Sequence, residues 1–464
     1  MAHQPDTRGR GESQGTPLRH RGDTIAAVAT PPGRGGIGIV RISGALARDI
    51  VRAVAGALPA PRHAELVKFR ASDGAVIDEG IALFFAAPHS YTGEDVVELQ
   101  GHGGPVVMQM LLARSIELGA RIAEPGEFTR RAFLNDRLDL AQAESVADLI
   151  DAASVEAARS AARSLTGEFS SRVHELAADL GDLRMHVEAC IDFPEEEIDP
   201  ADRSAQRRKL EAVRAKLERV LDAAAQGAVL REGLTAVLIG RPNVGKSSLL
   251  NRLAGDDIAI VTPIAGTTRD SVRATIAIEG VPVHLVDTAG LRAAADEIER
   301  LGIERTWRAV ESAGAALFVT EPDQPLDDEE LAYLAKLPAD IPVARIVNKI
   351  DLTAEAAGRE AIGDTPVIRL SARTGSGIEA LRAWLLEVAG WKPHGEGVFI
   401  ARQRHLVALQ AAARHLAEAQ RQMQAFELMA EELRLAQVAL GRITGEVSAD
   451  DVLGAIFSRF CIGK

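Results

Sequence analysis

The sequence has only two cysteines, Cys190 and Cys461, among its 464 residues. Two thiols exclude a disulfide framework and a cysteine-rich zinc site, and so few cysteines are typical of a reducing cytoplasm. No apolar run reaches the roughly 18 residues that identify a membrane-spanning helix. Residues 1–22 lack the apolar stretch of a signal peptide, and we expect a disordered tail there. These absences predict a cytoplasmic protein with no membrane contact.

The chain also has no excess of positive charge. Its formal net charge is −13 at pH 7. Proteins that bind nucleic acid over their whole surface are usually basic. Any RNA contact of this protein therefore needs a local basic patch or a partner protein. The chain is 47% hydrophobic, which is enough to build large cores. Its length predicts roughly two to four domains.

A phosphate-binding loop is predicted at residues 240–247, which read G-R-P-N-V-G-K-S. They fit the pattern G-x-x-x-x-G-K-[ST], in which backbone N–H groups cradle phosphates. The apolar run 235–240 before the loop is typical of a buried strand, and residues 248–253 after it have helical spacing. We expect Lys246 to bridge the β- and γ-phosphates and Ser247 to bind Mg²⁺.

The motif N-K-x-D at Asn348–Asp351 indicates that the nucleotide is GTP. A carboxylate can accept two hydrogen bonds from the N1–H and amino edge of guanine, and adenine offers no such pair. A site built on paired polar contacts strongly rejects the analogue that lacks them. The segment Ser371-Ala-Arg373 fits the short loop that supports the base from its other side.

Two further motifs complete a GTP switch. Asp287-Thr-Ala-Gly290 supplies an acidic partner for Mg²⁺ and a glycine whose N–H can meet the γ-phosphate. Thr268, in the segment 266–268, can bind Mg²⁺ only while the γ-phosphate is present, which makes its loop a switch. Leu291 stands where Ras-type proteins have a glutamine that orients the attacking water. Catalysis therefore needs another polar group.

Beyond these motifs, the sequence resembles the MnmE/TrmE family of bacterial and organellar tRNA modification GTPases over roughly residues 23–464. The resemblance rests on segments 23–44, Tyr91–Glu98, Gln100–Pro105 and Pro125–Asn135, and on the terminal Phe460-Cys-Ile-Gly-Lys464. It implies a potassium-activated, dimerisation-dependent GTPase. With an FAD-dependent partner, such an enzyme installs a 5-carboxymethylaminomethyl or aminomethyl group on the wobble uridine of certain tRNAs.

The resemblance also implies the bound groups and partners: GTP, Mg²⁺, K⁺, a 5-formyl-tetrahydrofolate or related one-carbon folate, tRNA, a homodimer and a heterotetramer with the flavoprotein. It assigns a water-orienting carboxylate to Glu299, which replaces the glutamine missing at Leu291, and it assigns catalytic roles to Lys246 and Thr268. The Mg²⁺ ligands are Ser247 and Thr268, and the K⁺ ligands are Asn243, Thr262, Ile264 and Thr267. The folate-binding residues are Arg41, Glu98, Arg137 and Lys464. The GTP-binding residues are Asn243, Val244, Gly245, Lys246, Ser247, Ser248, Thr262, Thr267, Thr268, Asp287, Gly290, Asn348, Lys349, Asp351, Ser371 and Ala372.

Two features have competing interpretations. Cys461 could be a nucleophile, a redox thiol or a small buried side chain. No histidine lies beside it in sequence to activate it, so we expect burial, with a role at the modification centre as the alternative. Gly33–Gly38 fits G-x-G-x-x-G, but prolines precede it and the strand-like run Ile39–Ile42 follows it, which argues against a dinucleotide site. Any flavin is therefore expected on a partner.

The fold class predicted is multidomain α/β plus α. We expect the disordered tail at 1–22, an N-terminal α/β folate-binding and dimerisation module at 23–135, and a discontinuous helical domain at 136–225 and 391–464. A Ras-like P-loop GTPase domain (the G domain) is inserted at 226–390. Residues 402–440 contain no glycine or proline and predict one long helix. The alternative function is a ribosome-assembly GTPase acting as an RNA-binding switch, although we find no appended RNA-binding domain.

Overall fold

The computed structural model describes residues 22–192, 200–256, 272–287, 313–322, 338, 341–353, 355–362, 365–392, 397–446, 450–458 and 460–463. Contacts divide these residues into two compact units. The first contains residues up to 138 together with those from 450 onward, and the second contains the residues between them. In the described ranges, no helix is both long enough and apolar enough to cross a membrane.

The first unit is built on a six-stranded sheet. Its strands are β1 (Ile25–Val28), β2 (Gly35–Ser43), β3 (Glu65–Arg70), β4 (Val76–Phe85), β5 (Val96–Gly103) and β6 (Arg121–Ile122). The strand order is β3-β4-β5-β2-β1-β6, and only the β1–β6 pair is parallel among these neighbours. Its first three helices are α1 (Ala47–Ala55), α2 (Pro105–Glu117) and α3 (Glu127–Leu134).

The larger core cluster of this unit lies on one face of the sheet. Val40 and Ile42 of β2, with Val97 and Leu99 of β5, are buried in a cluster that includes apolar residues of α1 and α2. Successive side chains of a strand point to opposite faces. The polar residues between them in sequence, such as Arg41 and Glu98, are therefore presented on the other face.

The second unit combines a helical part with a second sheet. The first helices of this part are α4 (Leu140–Ile150), α5 (Val155–Leu165), α6 (Glu168–Asp192) and α7 (Pro200–Glu232). The sheet and its helices follow as β7 (Leu234–Ile239), α8 (Lys246–Asp256), β8 (Val272–Ile278), β9 (Val281–Asp287), β10 (Ala315–Thr320), β11 (Val343–Val347), β12 (Gly358–Ile362), β13 (Thr365–Arg369) and α9 (Ile378–Val388).

The second sheet has the strand order β12-β13-β11-β10-β7-β9-β8. The five central strands pair in parallel, and the edge strands β8 and β12 pair antiparallel. Ligands of open α/β sheets bind beyond the carboxyl ends of the parallel strands. The predicted strand before the phosphate loop and the predicted helix after it are confirmed as β7 and α8.

The prediction of one long helix over 402–440 was wrong. The structure has α10 (Gln403–Arg421) and α11 (Phe426–Thr444), separated by a turn in which the Ala425 N–H donates to the carbonyl of Gln422. Both helices bury apolar residues, including Leu416 and Leu433, in a core that also contains apolar residues of α6 and α7. Tertiary packing overrides the local helix propensity of the turn.

The C-terminal segment of the chain belongs to the first unit. Its helix α12 (Asp450–Phe457) contacts α3, and the rings of Phe457 and Phe133 lie 6.5 Å apart. The sequence placed this segment in the helical domain, while α7 continues across the expected boundary between residues 225 and 226. The domain boundaries given above stay predictions.

Candidate nucleotide and N-terminal sites

The phosphate loop connects β7 to α8 at the carboxyl edge of the parallel sheet. Lys246 is buried, and its Nζ donates to the carbonyl oxygens of Gly240 at 2.6 Å and Arg241 at 2.8 Å. Its ammonium group is therefore held over the loop itself. The first backbone bond of α8 runs from the Leu249 N–H to the Gly245 carbonyl at 2.8 Å.

Three polar side chains of this loop and the first turn of the helix are open to solvent. Ser247 and Ser248 stand in the first turn of α8, where unpaired N–H groups create partial positive charge. Asn243 is exposed in the loop with φ of 64°. Hydroxyl and amide oxygens in these positions can bind a hard cation beside a phosphate.

Asn348 joins the phosphate loop to the loop predicted to support the base. Its buried amide donates to the Val244 carbonyl oxygen at 2.8 Å, and its Oδ1 accepts from the Ala372 N–H at 3.0 Å. Gly245 has φ of 97°, and a Cβ there would lie 2.3 Å from the Asn348 amide nitrogen. Glycine is required at this position both by the backbone conformation and by the close approach of Asn348.

The remaining residues of the N-K-x-D motif are also held by side chains. The Ser371 hydroxyl donates to Asp351 Oδ1 at 2.6 Å and accepts from the Thr374 N–H at 3.2 Å. Lys349 forms an ion pair with Glu321 at the carboxyl end of β10. The carboxylate of Asp351 therefore has one oxygen oriented by Ser371 before any ligand binds.

Asp287 ends β9 and pairs in register with Leu238 of β7, which places its backbone at the edge where the phosphate loop begins. Seven assigned residues lie outside the described residues: Thr262, Ile264, Thr267, Thr268, Gly290, Glu299 and Lys464. The structure thus brings together the phosphate loop and the base motifs. The Mg²⁺, K⁺ and catalytic assignments stay predictions.

Sequence reasoning missed two residues of this region. Arg252 of α8 donates to the carbonyl oxygens of Ala372 and Arg373, and Glu321 pairs with Lys349. Each contacts a segment distant in sequence, so no short motif identifies either residue. The helical spacing of α8 alone could not identify the partner of Arg252.

In the first unit, Arg41 and Glu98 face each other on β2 and β5. The Arg41 Nε donates to Glu98 Oε1 at 3.0 Å, and their side chains are 22% and 14% exposed. The guanidinium also lies over the rings of Tyr91 and Phe128, at 5.4 Å and 5.8 Å from the centroids. Burial raises the pKa of Tyr91 above its usual value, and the hydrogen bond between the Tyr91 and Thr129 hydroxyls and the charge of Arg41 act in the opposite direction.

The chain terminus reaches the same place. The Arg41 Nη1 donates to the carbonyl oxygen of Gly463 at 3.4 Å. Gly463 has φ of 99°, and a Cβ there would lie 2.4 Å from the carbonyl oxygen of Val28, so this position also requires glycine. The structure therefore gathers Arg41, Glu98 and the residue before Lys464. Arg137 is exposed in the chain after α3.

The expected burial of Cys461 was wrong, because its side chain is exposed. The backbone of this segment is fixed instead: the Cys461 carbonyl accepts from the Gly126 N–H at 3.3 Å, and Ile462 forms a bridge with Pro125. Phe457 and Phe460 fill the buried space beside it. These two phenylalanines thus occupy the core, and Cys461 and Ile462 stay exposed.

Comparisons with known proteins cover both units. Residues 24–137 match the family model described as the GTP-binding protein TrmE N-terminus, and residues 140–461 match the MnmE helical domain. The chain is 59% identical over 445 residues to the tRNA modification GTPase MnmE of Aromatoleum aromaticum, covering 95% of this chain and 98% of that protein. It is 58% identical over 442 residues to the protein of the same name in Chromobacterium violaceum, with the same coverage.

Proposed function

The chain belongs to the MnmE family of tRNA modification GTPases, and from this membership we propose that it hydrolyses GTP in the modification of the wobble uridine of tRNA. We further propose that the protein is a potassium-activated GTPase. It forms a homodimer in which the two G domains meet during GTP hydrolysis. It works with an FAD-dependent partner to install the 5-carboxymethylaminomethyl or aminomethyl group.

The single structural observation that carries the GTPase part of this proposal is the bridge made by Asn348. It holds the Val244 carbonyl and the Ala372 N–H at once, so the predicted phosphate and base loops keep their spacing in the free protein. Groups that are held in place before binding lose less conformational freedom when the ligand arrives. The bridge supports a site prepared for a nucleotide, and the Asp351 carboxylate supports guanine as its base.

The exposed oxygen donors of the loop fit the two cations. We propose that the Ser247 hydroxyl binds Mg²⁺ together with Thr268. We propose that the Asn243 amide oxygen binds K⁺ together with Thr262, Ile264 and Thr267. Cations at these places neutralise charge that develops between the phosphates. Lys246 bridges the β- and γ-phosphates, and Glu299 orients the attacking water.

The first unit fits a one-carbon folate of the 5-formyl-tetrahydrofolate type. Glu98 can accept two hydrogen bonds from the donor edge of a pterin, and Arg41 fixes one of its oxygens. Arg137 and Lys464 are proposed to bind the negatively charged glutamate tail. The exposed thiol of Cys461 lies two residues from Gly463, which contacts Arg41, and this supports a role for Cys461 at the modification centre.

A reconstituted modification assay tests the proposal. Purified protein is combined with the FAD-dependent partner of the same organism, a tRNA transcript, GTP, KCl and the folate, and the wobble nucleoside is identified by mass spectrometry. We expect a modified uridine that depends on GTP and disappears in the Lys246→Ala variant. GTP hydrolysis without any modified nucleoside, in an assay that a known member of the family completes, would contradict the proposal and favour a ribosome-assembly switch.

A further inference from the structure

Arg252 connects the phosphate-loop helix to the loop predicted to support the base. Its Nε donates to the Ala372 carbonyl oxygen at 2.9 Å, and its Nη2 donates to the Arg373 carbonyl oxygen at 2.6 Å. The rigid fork of a guanidinium suits two successive carbonyls, and hydrogen bonds from a charged donor are stronger than neutral ones.

The same loop is held from its opposite side. The Ala372 N–H donates to Asn348, and the Ser371 hydroxyl donates to Asp351. The peptide groups around Ala372 therefore have their N–H fixed by the N-K-x-D motif and their carbonyls fixed by Arg252. Removing Arg252 leaves the loop attached on one side only.

The phosphate loop has anchors of its own besides the Asn348 bridge. Lys246 is anchored by the carbonyls of Gly240 and Arg241, and the Leu249 N–H closes the first turn of α8 on Gly245. These bonds involve none of the atoms that Arg252 contacts. A change at Arg252 thus removes contacts of the base loop and leaves these anchors of the phosphate loop in place.

We propose that Arg252 is a positioning residue for guanine: it sets the affinity and base specificity for GTP by fixing the loop 371–373, and it leaves the rate of phosphate transfer unchanged. The inference rests on the GTP site proposed above. Arg252 acts through the backbone of Ala372 and Arg373.

The test compares Arg252→Ala with the parent protein in GTP and ITP hydrolysis and in the binding of N-methylanthraniloyl-GDP. ITP keeps the phosphates and lacks the 2-amino group that Asp351 is proposed to bind. We expect the KM for GTP and the dissociation constant to rise about tenfold, equivalent to about 1.4 kcal/mol. We expect kcat at saturating GTP to stay within about twofold of the parent and the preference for GTP over ITP to fall.

The matched control is Arg359→Ala, which removes an exposed arginine of β12 that pairs with Glu387 of α9. Arg252→Lys keeps the charge but replaces the planar fork by one ammonium nitrogen, so we expect its KM and dissociation constant to lie between those of the parent and the alanine variant. Thermal midpoints without nucleotide show whether each variant is folded.

The outcomes separate the two proposals. An unchanged KM and GTP/ITP ratio in folded Arg252→Ala, beside a parent that prefers GTP, overturns the role of Arg252 alone. An equal fall of kcat and kcat/KM in Arg252→Ala also overturns it. A parent protein that hydrolyses ATP as well as GTP overturns the guanine site and the inference built on it.

Discussion

The side-chain amide of Asn348 donates to the carbonyl oxygen of Val244, its neighbour in space and 104 residues away in sequence. This bond places the start of the N-K-x-D motif directly against the phosphate loop. The other end of the same amide accepts from Ala372. One buried side chain thereby determines how far apart the phosphate and base ends of the site are.

Substitution of Asn348 tests this relationship. Asn348→Ala leaves a buried carbonyl and a buried N–H without their partner, and each such loss costs about 1–3 kcal/mol. We expect the affinity for N-methylanthraniloyl-GDP to fall by about tenfold or more. Asn251→Ala, at an exposed position of α8, is the matched control and should bind as the parent does. Equal affinities in Asn348→Ala and the control would refute the role of the bridge.

The ion pair of Arg41 and Glu98 predicts a folate effect. Glu98→Gln keeps the side-chain shape but turns one acceptor oxygen into a donor nitrogen, which opposes the donor edge of a pterin. We expect the dissociation constant of 5-formyl-tetrahydrofolate to rise about tenfold in calorimetric titration. Glu117→Gln, an exposed glutamate of α2 paired with Arg114, is the control. Unchanged binding by Glu98→Gln would remove Glu98 from the folate site.

The fully buried carboxylate of Glu127 predicts a pH dependence. Burial by itself raises the pKa of Glu127. Hydrogen bonds from the Arg121 side chain, the Glu124 backbone N–H and the Arg131 side chain outweigh burial and lower this pKa from 4.5 to about 2. Because the folded pKa is depressed, the stabilisation is present above the unfolded value of about 4.5 and is lost as the pH falls through about 2.

Hydrogen exchange of residues 121–134 in the full protein measures this effect. At pH 7 we expect faster exchange in Glu127→Gln than in the parent, because the variant lacks the charge that the arginines bind. With both proteins compared at the same pH, the difference should shrink as the pH is lowered from about 4.5 toward 2. A difference that is constant over this range would show that the charge of Glu127 contributes nothing.

Asp148 of α4 predicts a large effect on stability. It accepts from Arg231 Nε at 2.8 Å and from Arg402 Nη2 at 2.8 Å, and these arginines lie just before β7 and just before α10. Asp148→Ala removes the closest carboxylate from the mostly buried Arg402, which keeps a longer ion pair with Glu144 at 3.7 Å. We expect the free energy of unfolding to fall by about 1.5–3 kcal/mol. Urea unfolding followed by tryptophan fluorescence measures the loss. Glu431→Ala, which breaks an exposed ion pair with Arg434, should change stability by less than about 1 kcal/mol.

Local patterns predicted much of the second sheet. The run of buried residues in β7, the glycines of the phosphate loop and the helical spacing of α8 are all contained in short segments, so sequence alone located them. The pairing of Arg252 with Ala372, and of Asp148 with Arg402, joins segments far apart in the chain. Such pairs leave no periodicity in the sequence and become visible only when the fold brings the segments together.

Two wrong predictions have the same origin. The break between α10 and α11 contains neither glycine nor proline, and it exists because folding back buries both helices against α6 and α7. Cys461 is exposed because Phe457 and Phe460 occupy the available core. In both cases the packing of the whole unit determines the local structure, and the preferences of the local residues do not.

The most direct test of the account is GTP turnover by the purified protein in KCl and in NaCl at equal ionic strength, for the parent and for Asn243→Ala. We expect strong stimulation of the parent by K⁺ and loss of that stimulation in the variant, because the Asn243 amide oxygen is proposed to bind the ion that neutralises the phosphates. Equal rates of the parent in the two salts would contradict the potassium-activated mechanism.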